Sequence, residues 1–168
     1  MTKSAAKKAW AWLWLSALII ALDQITKYLA MHHLEFGRPV RILPFFNFTL
    51  NYNPGAAFSF LGAQGGWQVY FFAAISLIVA VILLVWLGRI KRSDGLMAAG
   101  VSLIIGGALG NFIDRIRLTY VIDFLDFHIK SWHYATFNIA DSAICVGAFL
   151  LILRVFLSPR KKSATTNN

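Results

Sequence analysis

Apolar residues in this chain come in long blocks, not in the narrow stripes of a water-soluble domain. The first block carries no charge from Ala9 to Leu22 and only sparse charge up to Met31. The second lies inside a charge-free stretch from Ile42 to Gly88, with its unbroken apolar part at Trp67 to Leu87. The third, Gly95 to Ile113, is uncharged throughout. The fourth runs from Tyr134 to Leu157, interrupted by Asp141 and closed by Arg154. Crossing a ~30 Å hydrocarbon core takes about 20 residues of helix. The pattern therefore predicts four transmembrane helices, at about 9–31, 67–88, 95–114 and 135–157. The first block, following Lys7 and Lys8, has the length of a signal-peptide apolar region. It reads instead as a retained helix, because apolar character resumes past Asp23.

Between these blocks lie two long loops, 32–66 and 115–134, and a polar tail, 160–168, expected to be disordered. Val40 to Tyr52 is rich in Phe, Ile, Leu and Thr, with Pro39 and Pro44 as edge markers. Asn53-Pro54-Gly55 signals a turn, and Ala56 to Leu61 suits a short interfacial helix. Thr119 to Ile129 is again β-branched and aromatic. A small sheet on one membrane face would satisfy both loops. The expected fold is a single domain, 1–168, of the all-α polytopic membrane class with a small added sheet.

Composition agrees. The chain has 168 residues, 58% apolar and only 14% charged, with a formal net charge of +9 and a mean hydropathy of +0.64. Soluble domains carry about 25% charged residues, and a soluble chain this small could not hide so much apolar mass. Disorder is excluded by the same values. The lone Cys145 excludes a disulfide framework and a Cys-based zinc site. A charge of +9 would alone suggest nucleic-acid binding, but its distribution along the chain says otherwise. Lys3, Lys7, Lys8, Arg89, Lys91, Arg92, Arg154, Arg160, Lys161 and Lys162 fall on one side of the predicted membrane with the single acid Asp94. On the other side Lys27, Arg38, Arg41, Arg115, Arg117 and Lys130 balance Asp23, Glu35, Asp114, Asp123, Asp126 and Asp141. Basic loops stay in the cytoplasm, so both termini are expected there and both long loops outside. No nucleic-acid partner is expected.

Ionisable groups at membrane depth are expensive, and each needs a reason. Asp23 and Lys27 are four apart on one helix face, either as a local ion pair at the interface or in support of a site. Gly106 and Gly110 form a GxxxG pair that suits close helix packing. Beyond them Asn111, Asp114 and Arg115 stack on one face, as a hydrogen-bond network or as part of a site. Asn138 and Asp141 share a face at the outer start of the fourth helix, where a helix N-terminus favours a carboxylate. Asp123, in Val121-Ile122-Asp123-Phe124, is either a solvated loop acid or a carboxyl whose apolar surroundings raise its pKa.

Asp123 and Asp141 fall at one depth on adjoining elements and could meet. Two carboxylates sharing a site cannot readily both ionise. The charged one could then activate water while the protonated one donates to a carbonyl oxygen, which suffices for peptide-bond hydrolysis. Other proteolytic arrangements fit less well. His32-His33 lacks the spacing of a zinc protease, and no Ser sits in a Gly-x-Ser-x-Gly elbow. His128 and His133 read as interfacial residues, and Cys145 as a small packing residue. No metal and no cofactor is expected.

Five stretches, in order along the chain, carry a resemblance. They are Asp23-Gln24-Ile25-Thr26-Lys27, Asn53-Pro54-Gly55-Ala56-Ala57-Phe58, Gly107-Ala108-Leu109-Gly110-Asn111-Phe112-Ile113-Asp114-Arg115, Val121-Ile122-Asp123-Phe124 and Phe137-Asn138-Ile139-Ala140-Asp141. With their placement on four helices, they make the chain similar to the bacterial lipoprotein signal peptidases, the signal peptidase II family. The resemblance implies an intramembrane aspartyl protease of the inner membrane with a periplasmic β-cradle. It implies a diacylglyceryl-modified prolipoprotein as substrate, cut just before the lipidated cysteine, with Asp123 and Asp141 as the catalytic pair. Asn53, Asn111, Arg115 and Asn138 would orient the pair or contact the substrate backbone. Gly55 would allow the turn that brings Asn53 in. Asp23 and Lys27, with Asp114, would support the fold near the site. Membrane lipids are the other expected contact, and a monomer would suffice. Two rivals are weighed. A proton- or ion-coupled carrier would use Asp23, Asp123 and Asp141 as relays, but four helices are few for it and the acids cluster at one end. A purely structural subunit would need no chemistry.

Overall fold

The computed structural model describes residues 9–55 and 65–157. The expected helix at Ala56 to Leu61 and the tail 160–168 lie outside these residues. A 3-10 turn, Ala9–Trp12, leads into helix α1, Leu13–His33. A hairpin comes next, β1 (Val40–Leu43) and β2 (Phe46–Asn53), then helices α2 (Trp67–Leu87) and α3 (Gly95–Leu118). Strands β3 (Val121–Ile129) and β4 (Trp132–His133) precede helix α4, Ile139–Phe156. Four spans, the first counted from Ala9 to His33, are long and apolar enough to cross a membrane.

The strands form one antiparallel sheet in the order β1-β2-β3-β4. With strands of eight and nine residues in β2 and β3, the protein is four helices plus a sheet. The expected all-α class is corrected to that extent. Two helix ends also differ from expectation. α3 runs on to Leu118 because Asp114 and Arg115 are buried partners of neighbouring elements, not a polar helix end. α4 begins at Ile139, not 135, because Asn138 is extended (φ −135°) and caps it, its side-chain oxygen accepting from the Asp141 amide. Such a cap satisfies one of the orphan amides of a first helical turn.

α3 is the central helix and packs against α1, α2 and α4. Its small residues make that possible. A Cβ at Gly107 would collide with the Ala140 carbonyl of α4, and one at Gly106 would lie 2.9 Å from the Ser16 carbonyl of α1. The Ser16 hydroxyl donates to the Ser102 carbonyl at 2.7 Å, a further tie between α1 and α3.

Polarity is arranged inside out. Leu18, Ile25, Ile78, Ile82, Phe149 and Ile152 point outward, while Asp23, Lys27, Asn111 and Asp114 are buried among the helices. An apolar exterior with satisfied polar groups inside is the arrangement lipid favours. The sheet sits at one end of the helices. Leu50, Ile122 and Phe124 pack with Ala30, Leu118 and Ile139, seating it on the ends of α1, α3 and α4. Burying such side chains contributes about 1.5–3 kcal/mol each. At the other end Leu87, Ile90, Ala98 and Val101 pack with Ala9, near the Asp94–Arg154 ion pair at 2.8 Å.

Candidate active site

Two clusters of polar groups meet where α1, α3, α4 and β3 converge. The first is built on Lys27. Its Nζ lies 2.8 Å from Asp23 Oδ2, 2.7 Å from Asp114 Oδ2 and 3.0 Å from Asn111 Oδ1. An ammonium has three N–H groups, and these three acceptors match them. Asp23 and Lys27 do pair at i,i+4 as expected, but within the protein, at 0% and 1% exposure. Asp23 also accepts from the Ala140 amide at 2.9 Å. Asp114 accepts from the Ile122 amide at 3.2 Å and from Gln24 Nε2 at 2.8 Å. Charges on α1 and α3 thus fix the first residues of both β3 and α4.

The second cluster hangs on the first through two amides. Asn111 Oδ1 accepts from Lys27, which can only donate, so Asn111 Nδ2 must face the other way. It donates to Asp141 Oδ1 at 2.7 Å. Asn138 Oδ1 accepts from the Asp141 backbone amide at 2.8 Å, so its Nδ2 also has a fixed direction. It donates to Asp123 Oδ1 at 2.7 Å and to Asn111 Oδ1 at 3.2 Å. Two unambiguous donors therefore orient both amides, and each amide gives an N–H to one carboxyl group. Asn53 Nδ2 donates to the other Asp123 oxygen at 3.1 Å. Gly55 N in turn donates to Asn53 Oδ1 at 3.0 Å, which holds the turn and the side chain together.

Among the described residues, neither Asp123 nor Asp141 has a cation within ion-pair distance. Asp123 is only 2% exposed. Burial, and after it the Asp141 carboxylate, push the Asp123 carboxyl up to about 7. Arg115 donates to the Gly55 carbonyl at 3.1 Å and to the Asn111 carbonyl at 3.3 Å, and lies 5.6 Å over the Phe72 ring. It clamps the 53–55 turn to α3.

The two carboxyl groups line a cavity of about 440 Å³ that also touches Asn53, Asn111, Arg115 and Phe137. The family model for signal peptidase II matches residues 15–157, which takes in this whole constellation. The chain belongs to the signal peptidase II family. A lipoprotein signal peptidase of Coxiella burnetii is 65% identical over 96% of this chain and 99% of its own length. Another, of Yersinia enterocolitica, is 46% identical over 98% and 97%. A solved bacterial membrane enzyme superposes with a TM-score of 0.81 at 30% identity, covering 97% of this chain and 99% of that one.

All ten residues singled out from the sequence of this peptidase fall in the two linked clusters or the adjoining turn. Asp23, Lys27 and Asp114 form the charged cluster, while Asn111, Asn138, Asn53, Asp123 and Asp141 form the amide-bridged one. Gly55 and Arg115 secure the turn between them. Cys145 is exposed and lines the cavity, which corrects its reading as a packing residue. Several groups went unread in the sequence. Gln24 bridges Asp23 and Asp114. Asp126 accepts from Thr49 and His133 at 2.8 Å each and from Asn47 at 3.1 Å. Burial opposes it, but His133, Asn47 and Thr49 hold the Asp126 carboxyl below the usual range. The legible signal was alternation: Asn47, Thr49, Asn51 and Asn53 are polar, and the residues between them are not.

Proposed function

We propose that this chain removes signal peptides from prolipoproteins, using Asp123 and Asp141 as an aspartate dyad at the periplasmic face of the inner membrane. The substrate is a prolipoprotein whose cysteine already carries diacylglyceryl, and the bond cut lies just before that cysteine. One observation carries the reading. Two carboxyl groups share a cavity and a pair of bridging amides, with no cation bonded to either among the described residues. Such a pair shares one proton between its two titration steps.

This arrangement has a definite chemistry. The ionised carboxylate takes a proton from a water molecule whose oxygen attacks the scissile carbonyl carbon, while the protonated partner gives its proton to the carbonyl oxygen. The resulting gem-diol collapses as the C–N bond breaks: the departing nitrogen receives the proton taken from water, and one diol hydroxyl returns its proton to the ionised partner as the new carbonyl forms. The carboxyl groups end with one proton between them, as they began. Asn111 and Asn138 hold the pair in register throughout. Asn53 and Arg115 keep the turn at the cavity rim, where a backbone could be held.

The remaining assignments support one another. The cavity lies at the sheet end of the helices, where water has a short path and a diacylglyceryl anchor can stay in lipid. Among the described residues Arg89, Lys91, Arg92 and Arg154 lie at the other end, and the positive-inside rule supports a cytoplasmic reading of that end. A single copy supplies every group invoked. The carrier reading loses ground because the acids gather at one end and not along a path.

The test is direct. Purified protein in detergent is incubated with a diacylglyceryl-modified prolipoprotein and with its unlipidated form, and products are read by mass spectrometry. Cleavage just before the lipidated cysteine, and little of the unlipidated form, is the expected result. Intact substrate, or cleavage at another bond, would overturn the proposal.

A further inference from the structure

A second cavity, of about 650 Å³, opens from the same carboxyl group in a different direction. It shares Asn53, Asp123, Tyr134, Ala135 and Thr136 with the first cavity. The two differ in their far walls. The first continues past Val121, Phe137, Ile144 and Cys145, which are apolar. The second continues along β2 past Asn51 and Thr49 to Asp126 and His133. The bound fragments of one substrate would therefore meet an apolar path on one side of Asp123 and a polar path on the other.

The polar path has the form of a strand site. One wall is formed by Thr49, Asn51 and Asn53 of β2, which is bulged between Phe48 and Asn51. Beyond the bulge Asn51 and Asn53 are two apart, a step of about 6.6 Å that matches the repeat of peptide groups along an extended chain. The opposite wall is the segment between β4 and α4. Tyr134 N donates to the Phe127 carbonyl at 2.8 Å and Phe137 N to the Leu125 carbonyl at 3.1 Å, so both ends of the segment are pinned to β3. Between them Ala135 and Thr136 have no backbone hydrogen-bond partner among the described residues, though both are half-buried. Among the described residues the Thr136 hydroxyl accepts from Asn51 Nδ2 at 3.1 Å, which joins the two walls at that point. An extended peptide can pair with backbone groups left open in this way, in the manner of an added strand.

The geometry points to this polar cavity as a subsite for an extended polypeptide: the few residues on the C-terminal side of the cleaved bond, bound by backbone pairing to Ala135 and Thr136. The inference rests on the dyad reading above and adds to it a direction. The apolar cavity takes the signal segment, and the polar cavity takes the start of the mature chain. Asp126, tied to Asn47, Thr49 and His133, closes the far end of the polar path and keeps the β2 row in place.

The experiment uses the full chain in detergent and a set of synthetic substrates sharing one signal segment and one diacylglyceryl cysteine. In one the cysteine is the last residue, as its amide. In a second, the chain continues for four more residues. In four others, one of those residues is N-methylated. The extension is expected to raise kcat/KM at least tenfold, mostly through KM, and single N-methylations are expected to erase the gain at alternate residues only. Asn51→Leu is expected to shrink the gain. Equal kcat/KM for short and extended substrates would overturn the inference, as would N-methylation without effect at any position. Those readouts need no variant, so a misfolded Asn51→Leu protein would not decide the matter. Failure to cleave any member of the set would instead defeat the dyad reading, and this inference with it.

Discussion

Four aspartates gather where the helices meet the sheet, and they make two unlike pairs. Asp23 and Asp114 have Lys27 between them, at 2.8 and 2.7 Å. Asp123 and Asp141 have Asn111 and Asn138 between them. The first pair is held by a positive charge and by backbone amides from the starts of β3 and α4. Its bonds run to the backbone of β3 and α4, and its output is position. The second pair is held by neutral amides, which orient a carboxylate without neutralising it, and on the proposed reading the two acids divide a proton. On the proposed reading the same residue type is structural in one place and chemically poised in the other. The difference is whether the intervening side chain is an ammonium or an amide.

The contrast can be broken from either side. The largest effect is expected from Asp123→Asn or Asp141→Asn. Each keeps the shape and removes an acid or base, so turnover should fall by roughly a thousandfold or more, as two proton-transfer roles of about 10²–10⁴ each are lost. Thermal unfolding in detergent should show little loss of stability in the same variants. A stable variant with near-normal turnover would end the catalytic assignment.

Next comes Lys27→Met. It leaves Asp23 and Asp114 buried without their cation, which costs about 3–5 kcal/mol. Here stability should fall sharply and take activity with it. A variant as stable as the parent would mean that the charged cluster is not what holds the starts of β3 and α4.

Asn138→Ala lies between the two. It removes the N–H given to Asp123 and the cap of α4. Hydrogen bonds to charged groups are worth about 1.5–3 kcal/mol, so kcat should fall roughly ten- to a hundredfold. Loss of the cap should cost about 1 kcal/mol of stability. Equal losses in rate and stability would reduce Asn138 to a structural residue. The smallest effect is expected far from both pairs, at Asp94→Ala. Its partly exposed bond to Arg154 is screened by solvent and should add little to stability, and cleavage should be unchanged. The Arg154 bond also holds the Asp94 carboxyl below its usual range, so that contribution is present at neutral pH and lost as pH falls through the acid range.

The sequence exposed the spans and the acids better than their partnerships. Uncharged blocks announce helices because lipid forbids unpaired charge, and all four expected spans formed. Asp23 with Lys27 was readable because four residues make one helical turn. That Lys27 also reaches Asp114 was not, since a contact between α1 and α3 depends on how closely the glycines of α3 let the helices approach. The same contact misled the estimate of where α3 ends. Asp114 and Arg115 resemble a polar terminus until their burial is seen. The amide bridge was hidden for another reason. Asn111 and Asn138 look alike in sequence, and only Lys27 and the Asp141 amide decide which way each side chain points. The alternating polar row on β2 was visible, but without the facing Ala135–Thr136 segment nothing marked it as a wall.

The shared proton is the claim on which the contrast rests, and infrared titration of carboxyl protons in the purified protein reads it directly. The account predicts one buried carboxyl that stays protonated through mildly acidic pH and titrates near 7, absent from Asp123→Asn. The sign carries over to folding. A carboxyl whose native value is raised from 3.8 to about 7 makes the native state bind more protons than the unfolded chain in that interval. Stability should therefore decline as pH rises from about 4 to about 7, and less steeply in Asp123→Asn. A wild-type protein whose carboxyl groups have all released their protons well below pH 7, with a titration unchanged by Asp123→Asn, would contradict the account.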